Sequence, residues 1–274
     1  MSLDVLKSAC VPDDEYMQQV RNLCDDSPSW SCDYAKSNIS VFSKSSNMSN
    51  IKIFKLVHVF KDVHAELLFD TLMDSEYRKI WDKNMVESFE LCHINPNNDI
   101  GYYALRSFPA ICDRDFVLQR SWLRTGSEFI ITNRSIFHKA LPPRKQYIRA
   151  LSYLTAYLIR TRGSNSCELI YVSHCDPRGK LPAWAVNKAT QYVAPRVIKR
   201  LSKACHNYIA WKRSHRPDFK PWLYPEQLET PRVDWTDILT EPDIDVSSDV
   251  AMDESNAVDV NSNGNGAADE GDAD

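Results

Sequence analysis

Glycine is scarce. Seven occur in 274 residues, and three of those lie beyond residue 263. The other four, Gly101, Gly126, Gly163 and Gly179, stand far apart, so the chain has no P-loop, no G-x-G-x-x-G and no G-x-S-x-G. Nucleotide-cradling loops and the nucleophile elbow are thereby excluded. The eight cysteines form no C-x-x-C pair, and no histidine stands at zinc-finger spacing from one. H-E-x-x-H is missing too, and the seven histidines are scattered. His174, Cys175 and Asp176 are consecutive in a strand-like run, where neighbours face opposite sides and cannot form a relay. The N-terminus has no apolar core of a signal peptide, and no apolar run reaches the roughly 20 residues that span a bilayer. The expectation is a cytoplasmic protein with free thiols, meeting membranes peripherally and transiently. It needs no cofactor or metal and is not an enzyme.

What is present is an uneven charge. The formal net charge is -4, yet the stretch from Asp234 to Asp274 holds 13 acidic residues and no Lys or Arg. That leaves 33 basic against 24 acidic residues before it, or +9. A basic body with an acidic tail points to an anionic partner. With no RNP1 or GXXG motif, nucleic acid is disfavoured and a membrane surface preferred.

Periodicity predicts α+β. Residues 13–25, 63–74 and 75–83 have helical spacing, and strand-like runs lie near 30–35, 39–44, 51–60, 85–93, 100–107, 115–123, 128–137, 147–162 and 167–176. Gly126 and Gly163 mark hairpin turns. A long helix is expected from about Pro182 to Trp211, with a kink or break at Pro195. Strands joined by short turns imply a curved antiparallel sheet, and one long helix against it implies a sheet wrapped around that helix, enclosing a cavity. The division reads 1–11 as an N-terminal segment, 12–228 as one domain and 229–274 as an acidic disordered tail.

Alternation places Phe116, Leu118, Arg120 and Trp122 on one face of their strand, and Arg149, Leu151, Tyr153, Thr155 and Tyr157 on one face of another. A sealed core rarely buries that mixture of arginine, threonine and aromatics, whereas a cavity receiving an amphiphile can. Arg114 and Asp115 are expected to pair at the cavity mouth. On the last helix Arg196, Lys199, Arg200 and Lys203 share a face at i, i+3, i+4, i+7. That basic amphipathic face, with apolar surface from Trp184, Tyr192, Val193, Val197, Leu201 and Cys205, suits an anionic leaflet and is read as a membrane-facing gate. The acidic tail is expected to compete for the same surface.

The segments "SEYRKIWDKN", "FPAICDRDFVLQRSW", "SHCDPRGKLPAWAVNKATQYVAPRVIKRLSKAC" and "DFKPWLYPEQ" resemble the START domains, lipid-transfer modules of helix-grip fold. The resemblance covers about 12–228. It implies a sheet of about nine strands and a C-terminal helix enclosing one phospholipid. It also implies a monomeric carrier of phosphatidylcholine, phosphatidylethanolamine or both. A lipid-sensing adaptor without net transfer, or an enzyme built on the same cavity, are the competing readings. In a phosphatidylcholine-binding relative an arginine of the Y-R-K-x-W segment holds the lipid phosphate, and the matching residue is Arg78. Its choline cage falls on Tyr103, Phe116 and Tyr153. Tyr103 replaces a tryptophan, and Thr155 replaces a phosphate-binding glutamine.

Overall fold

The computed structural model describes residues 9–26, 28–36, 38–46, 51–179, 181–182, 185, 194–240, 254–255 and 257. In chain order the elements are helix α1 (Asp14–Asp25), strands β1 (Ser31–Lys36), β2 (Ile39–Lys44) and β3 (Ile53–Phe60), helices α2 (Ala65–Met73) and α3 (Ser75–Trp81), then β4 (Met85–Asn95), β5 (Asn98–Leu105), β6 (Arg114–Thr125) and β7 (Glu128–Ser135). The short β8 (Phe137–His138) and β9 (Ile148–Arg149) precede the long hairpin of β10 (Leu151–Gly163) and β11 (Ser166–Asp176). Helix α4 (Ala194–Ser214) and a last short strand β12 (Ile238–Leu239) complete it.

The main sheet runs β1-β2-β3-β11-β10-β7-β6-β5-β4, antiparallel along this path, with β9 added parallel to β6. The expected antiparallel sheet of about nine strands with a C-terminal helix is present. Both faces of the central strands are covered. Leu154, Ala156 and Leu158 of β10, with Ile170 and Val172 of β11, pack on Tyr16, Met17, Val20 and Cys24 of α1. On the opposite face Trp122, Phe129, Ile131, Ile159 and Leu169 meet Leu68, Phe69 and Leu72 of α2 and Ile198, Leu201 and Cys205 of α4. Two-sided burial explains why these strands lack a clean polar face.

The connection from α2 through α3 to α4 is held by buried charge. Asp74 caps α3 by accepting from the Tyr77 amide at 3.0 Å, and its other oxygen accepts from the Tyr208 hydroxyl at 3.0 Å and Lys212 Nζ at 2.8 Å. Tyr77 in turn donates to the Ala204 carbonyl at 2.8 Å. The buried Lys212 lies on the face that carries Cys205 and Tyr208. Its ion pair carries α4 to Ser214, three residues past the expected end at Trp211. At the expected start the Ala185 amide donates to the Pro182 carbonyl at 3.0 Å; residues 183–184 and 186–193, with Trp184, Tyr192 and Val193, lie outside the described residues.

Two expectations are corrected. Residues 229–240 are not part of a separate tail. Val233 is buried, the His93 amide donates to the Pro231 carbonyl at 2.9 Å, and β12 pairs with β8. This extension covers the back of β4 and β5, packing with Cys92, Ile94 and Ile100. The sequence signal for a tail was charge, which says nothing about Val233, Trp235 and Ile238. The Arg114–Asp115 pair does not form. Neighbours on a strand face opposite ways, so Asp115 is bound by Arg149 at 2.8 and 3.0 Å, with both side chains buried. Arg114 turns elsewhere.

Candidate functional site

A cavity of about 360 Å³ opens between α2, α3 and the inner face of the sheet. Its lining includes Leu72, Arg78, Tyr103, Phe116, Leu118, Arg120, Thr155, Tyr157 and Tyr171. Sequence alternation located the β6 contribution: Phe116, Leu118 and Arg120 reach the lining, and Trp122 continues the same face into the core.

Arg78 stands one residue after Tyr77. Tyr77 faces α4, so the 100° turn of the helix aims Arg78 at the sheet. Its Nε donates to Asp82 Oδ2 at 3.1 Å, one helical turn later. The guanidinium lies 5.2 Å from the Tyr103 ring centroid and 5.7 Å from that of Trp81. Tyr103 closes the triangle by donating its hydroxyl to the same Asp82 oxygen at 3.0 Å. The side chain keeps 26% of its surface accessible, and it lines the cavity. Burial opposes its charge, but the Tyr103 and Tyr157 phenols and the Asp82 carboxylate outweigh that and keep it protonated. Burial also raises the Tyr103 phenol, as does Asp82, while Arg78 acts the other way. Arg78 is thus a fixed cation facing the cavity, with the Asp82 carboxylate as its counter-ion.

Thr155 is on the lining, its hydroxyl within 3.1 Å of Ser152 Oγ and 3.5 Å of Cys175 Sγ. Tyr153 is elsewhere. The register of β10 against β11 slips between Ser152 and Leu154, so Tyr153 is the extra residue of a bulge. Its ring packs on His174 at 4.9 Å, and the lining takes Ser152 instead. Of the three aromatics expected together, Tyr103 and Phe116 line the cavity and Tyr153 does not; Tyr157 and Tyr171, whose centroids are 4.9 Å apart, line it as well. On α4, Arg196, Lys199 and Lys203 are exposed and Arg200 is half-buried. They lie opposite Ile198, Leu201 and Cys205, as the spacing predicted.

Sequence reading missed the opposite wall of the cavity. Arg120 Nε donates to both oxygens of Asp99 at 3.1 Å, and its Nη2 donates to Glu90 at 2.8 Å. Burial pushes the Asp99 carboxyl up, Arg120 pulls it down and Glu90 pushes it up again. The strand pairing Asp99↔Arg120 brings these together; only a β5–β6 register could have revealed it.

Gly101 sits on the same wall opposite Glu90. A Cβ there would lie 2.8 Å from the Phe89 carbonyl oxygen, a backbone atom that cannot swing away. Gly101→Ala is expected to cost about 1–3 kcal/mol, read as a lower denaturation midpoint at unchanged slope.

Among the described residues no group of His, Cys, Asp and Glu can hold a metal, and no helix is long and apolar enough to cross a membrane. The sequence matches the START domain over residues 11–210. It is 41% identical over 231 residues to START domain-containing protein 10 of Mus musculus, covering 82% of this chain and 78% of that protein. Against the phosphatidylcholine transfer protein of Homo sapiens the identity is 27% over 184 residues, 66% of this chain and 85% of the other. The crystal structure of human STARD10 superposes with a TM-score of 0.82 at 38% identity, covering 88% of this chain and 98% of that one.

Proposed function

Because the chain belongs to the START domain family, we propose that it takes a single phospholipid from one membrane and delivers it to another, acting as a carrier and not as a catalyst. The observation that carries this reading is Arg78 in the cavity. A half-buried guanidinium paired with a carboxylate is set to donate two parallel hydrogen bonds to a phosphate. Asp82 is its partner at 3.1 Å. A lipid phosphate takes over that role, and Tyr103 remains bonded to Asp82, which keeps the displaced carboxylate from being orphaned.

Burying the acyl chains does not choose the lipid. Each methylene gains about 0.8 kcal/mol on leaving water, but the chains come from a bilayer, so the gain largely cancels. Headgroup contacts decide. Tyr103 and Phe116 offer ring faces to a choline. Glu90 and Ser88 on the same lining offer acceptors to an ethanolamine ammonium. Phosphatidylcholine is the primary ligand in this reading and phosphatidylethanolamine the second. The volume of about 360 Å³ is near the lower end for ligand pockets, roughly 300–1,000 Å³. It suits a headgroup and glycerol; two acyl chains require the helix side of the cavity to open.

Opening takes place on the membrane, with the basic face of α4 against the anionic leaflet. Each basic residue near such a surface is worth about 1 kcal/mol. Lys199→Glu with Lys203→Glu is expected to slow transfer between anionic vesicles by roughly tenfold or more, and to leave transfer between neutral vesicles nearly unchanged. Equal rates for the double variant and the parent on anionic vesicles would remove α4 from the mechanism. The carrier reading itself is tested by moving labelled phosphatidylcholine between donor and acceptor vesicles. Protein-dependent transfer is expected; no acceleration over the protein-free control would contradict it.

A further inference from the structure

The cavity is bordered at one end by the termini of β5, β6 and β11. Leu105 ends β5, Phe116 follows the start of β6, and Cys175 precedes the end of β11; all three line the cavity. Beyond them lie the 106–113 connection and the turn at Pro177 and Arg178, which leads in sequence toward α4. Arg114 ties these segments together. Its Nη1 donates to the Cys112 carbonyl, its Nε to the Pro177 carbonyl at 3.1 Å and its Nη2 to the Arg178 carbonyl at 3.2 Å. Three carbonyls share one guanidinium, and carbonyls bring no charge to balance it.

The balancing carboxylate comes from 140 residues away. Glu254 accepts from Arg114 Nη2 at 2.6 Å and from the Cys112 amide at 2.6 Å. The paired side chains keep only 4% and 8% of their surface. Burial opposes the Glu254 charge, but the Arg114 and Cys112 hydrogen bonds outweigh it and hold the carboxyl below its usual range. This is a built site, one buried guanidinium nitrogen and one backbone N–H converging on a carboxylate, and its occupant belongs to the acidic stretch. Sequence alone directed that stretch to the basic face of α4; of its residues beyond 240, Glu254 is described, and it pairs with Arg114 and the Cys112 amide.

We propose that Arg114 and the Cys112 amide form an anion site at the mouth of the cavity, that Glu254 fills it as an internal latch holding the 106–113 connection to the turn before α4, and that an anionic lipid headgroup displaces Glu254 when the protein meets a membrane. The proposal rests on the carrier reading. On this proposal transfer requires contact with a membrane, because away from one Glu254 holds the two segments together through Arg114. The latch also lies outside the phosphate site, so its removal changes how fast lipid passes and not how much is held.

The test uses the full chain. Glu254→Ala is expected to accelerate phosphatidylcholine transfer between neutral vesicles roughly tenfold, the lower end of what one hydrogen-bonded charge contributes, with unchanged lipid loading at equilibrium. Hydrogen exchange at the Cys112 amide, followed by NMR, should become fast in this variant. In the parent it should become fast on adding vesicles of phosphatidylcholine with phosphatidylserine, and stay slow with pure phosphatidylcholine vesicles or inorganic phosphate. Equal exchange at Cys112 in parent and variant overturns the docking. Fast exchange without faster transfer overturns the latch. Fast exchange with inorganic phosphate alone assigns the site to a free anion and overturns the membrane trigger. If the parent transfers no lipid, the carrier reading fails, and the Cys112 amide still reports whether Glu254 docks.

Discussion

Arg78→Met is expected to lose phospholipid binding almost completely while keeping the fold. Truncating one partner of a buried, hydrogen-bonded charge pair costs about 2–5 kcal/mol or more. In lipid affinity that is roughly 30-fold to several thousand-fold. Methionine preserves the straight apolar stem, so the loss reports the guanidinium and not a cavity. The substitution also strands Asp82, whose remaining partners are the Tyr103 hydroxyl and the Asn84 amide. Arg78→Met with Asp82→Asn removes that complication and should bind lipid as poorly as the single variant. Asp82→Asn alone is informative in the opposite direction. It deprives Arg78 of its internal counter-ion, so the empty protein loses stability and the phosphate gains a partner that needs no exchange. Tighter lipid binding by Asp82→Asn, measured by titration with a fluorescent phosphatidylcholine, is the expected result. Unchanged affinity in all three variants would separate Arg78 from the ligand.

The second large effect concerns the framework that aims Arg78. Asp74→Ala removes three interactions at once: the cap of α3, the acceptor of the Tyr208 hydroxyl and the counter-ion of Lys212. Lys212 and Asp74 keep 8% and 4% of their side-chain surface. Solvent therefore cannot rescue the ammonium, which would be left as an uncompensated buried charge. Breaking such a pair costs about 3–5 kcal/mol. At about 2–4 °C per kcal/mol for a chain of this size, the midpoint of thermal unfolding should fall by roughly 6–20 °C. Asp74→Ala with Lys212→Met deletes both charges and should recover part of the loss, because a buried ion pair is mainly costly when broken. If Asp74→Ala unfolds within a degree or two of the parent, the buried junction between α3 and α4 is not what fixes these helices.

How far the sequence exposed the site depended on whether neighbours in space were neighbours in pattern. Arg78 was legible because the Y-R-K-x-W segment that carries the family resemblance is a short local feature. The inward set Phe116, Leu118 and Arg120 was legible because β6 keeps strict alternation. Tyr153 was misplaced because a bulge shifts β10 by one residue, and a bulge leaves no local mark in "LSYLTAY". The partner chosen for Arg114 failed for the opposite reason: alternation forbade Asp115, and the true partner, Glu254, is too distant in sequence for any periodicity to find. Residues 231–239 show the same limit. Their acidic surroundings suggested a tail, whereas Val233 and the β12–β8 pairing are decided by the exposed back of β4 and β5. Long-range closure, not local preference, set every element that was misread.

The most direct measurement is native mass spectrometry of the purified chain beside its Arg78→Met counterpart. The parent should carry one additional mass matching a phospholipid, with choline or ethanolamine as headgroup, and the Arg78→Met protein should fly empty. A parent with no bound lipid after exposure to phosphatidylcholine vesicles, or an Arg78→Met protein loaded to the same extent, would contradict a cavity organised around that guanidinium.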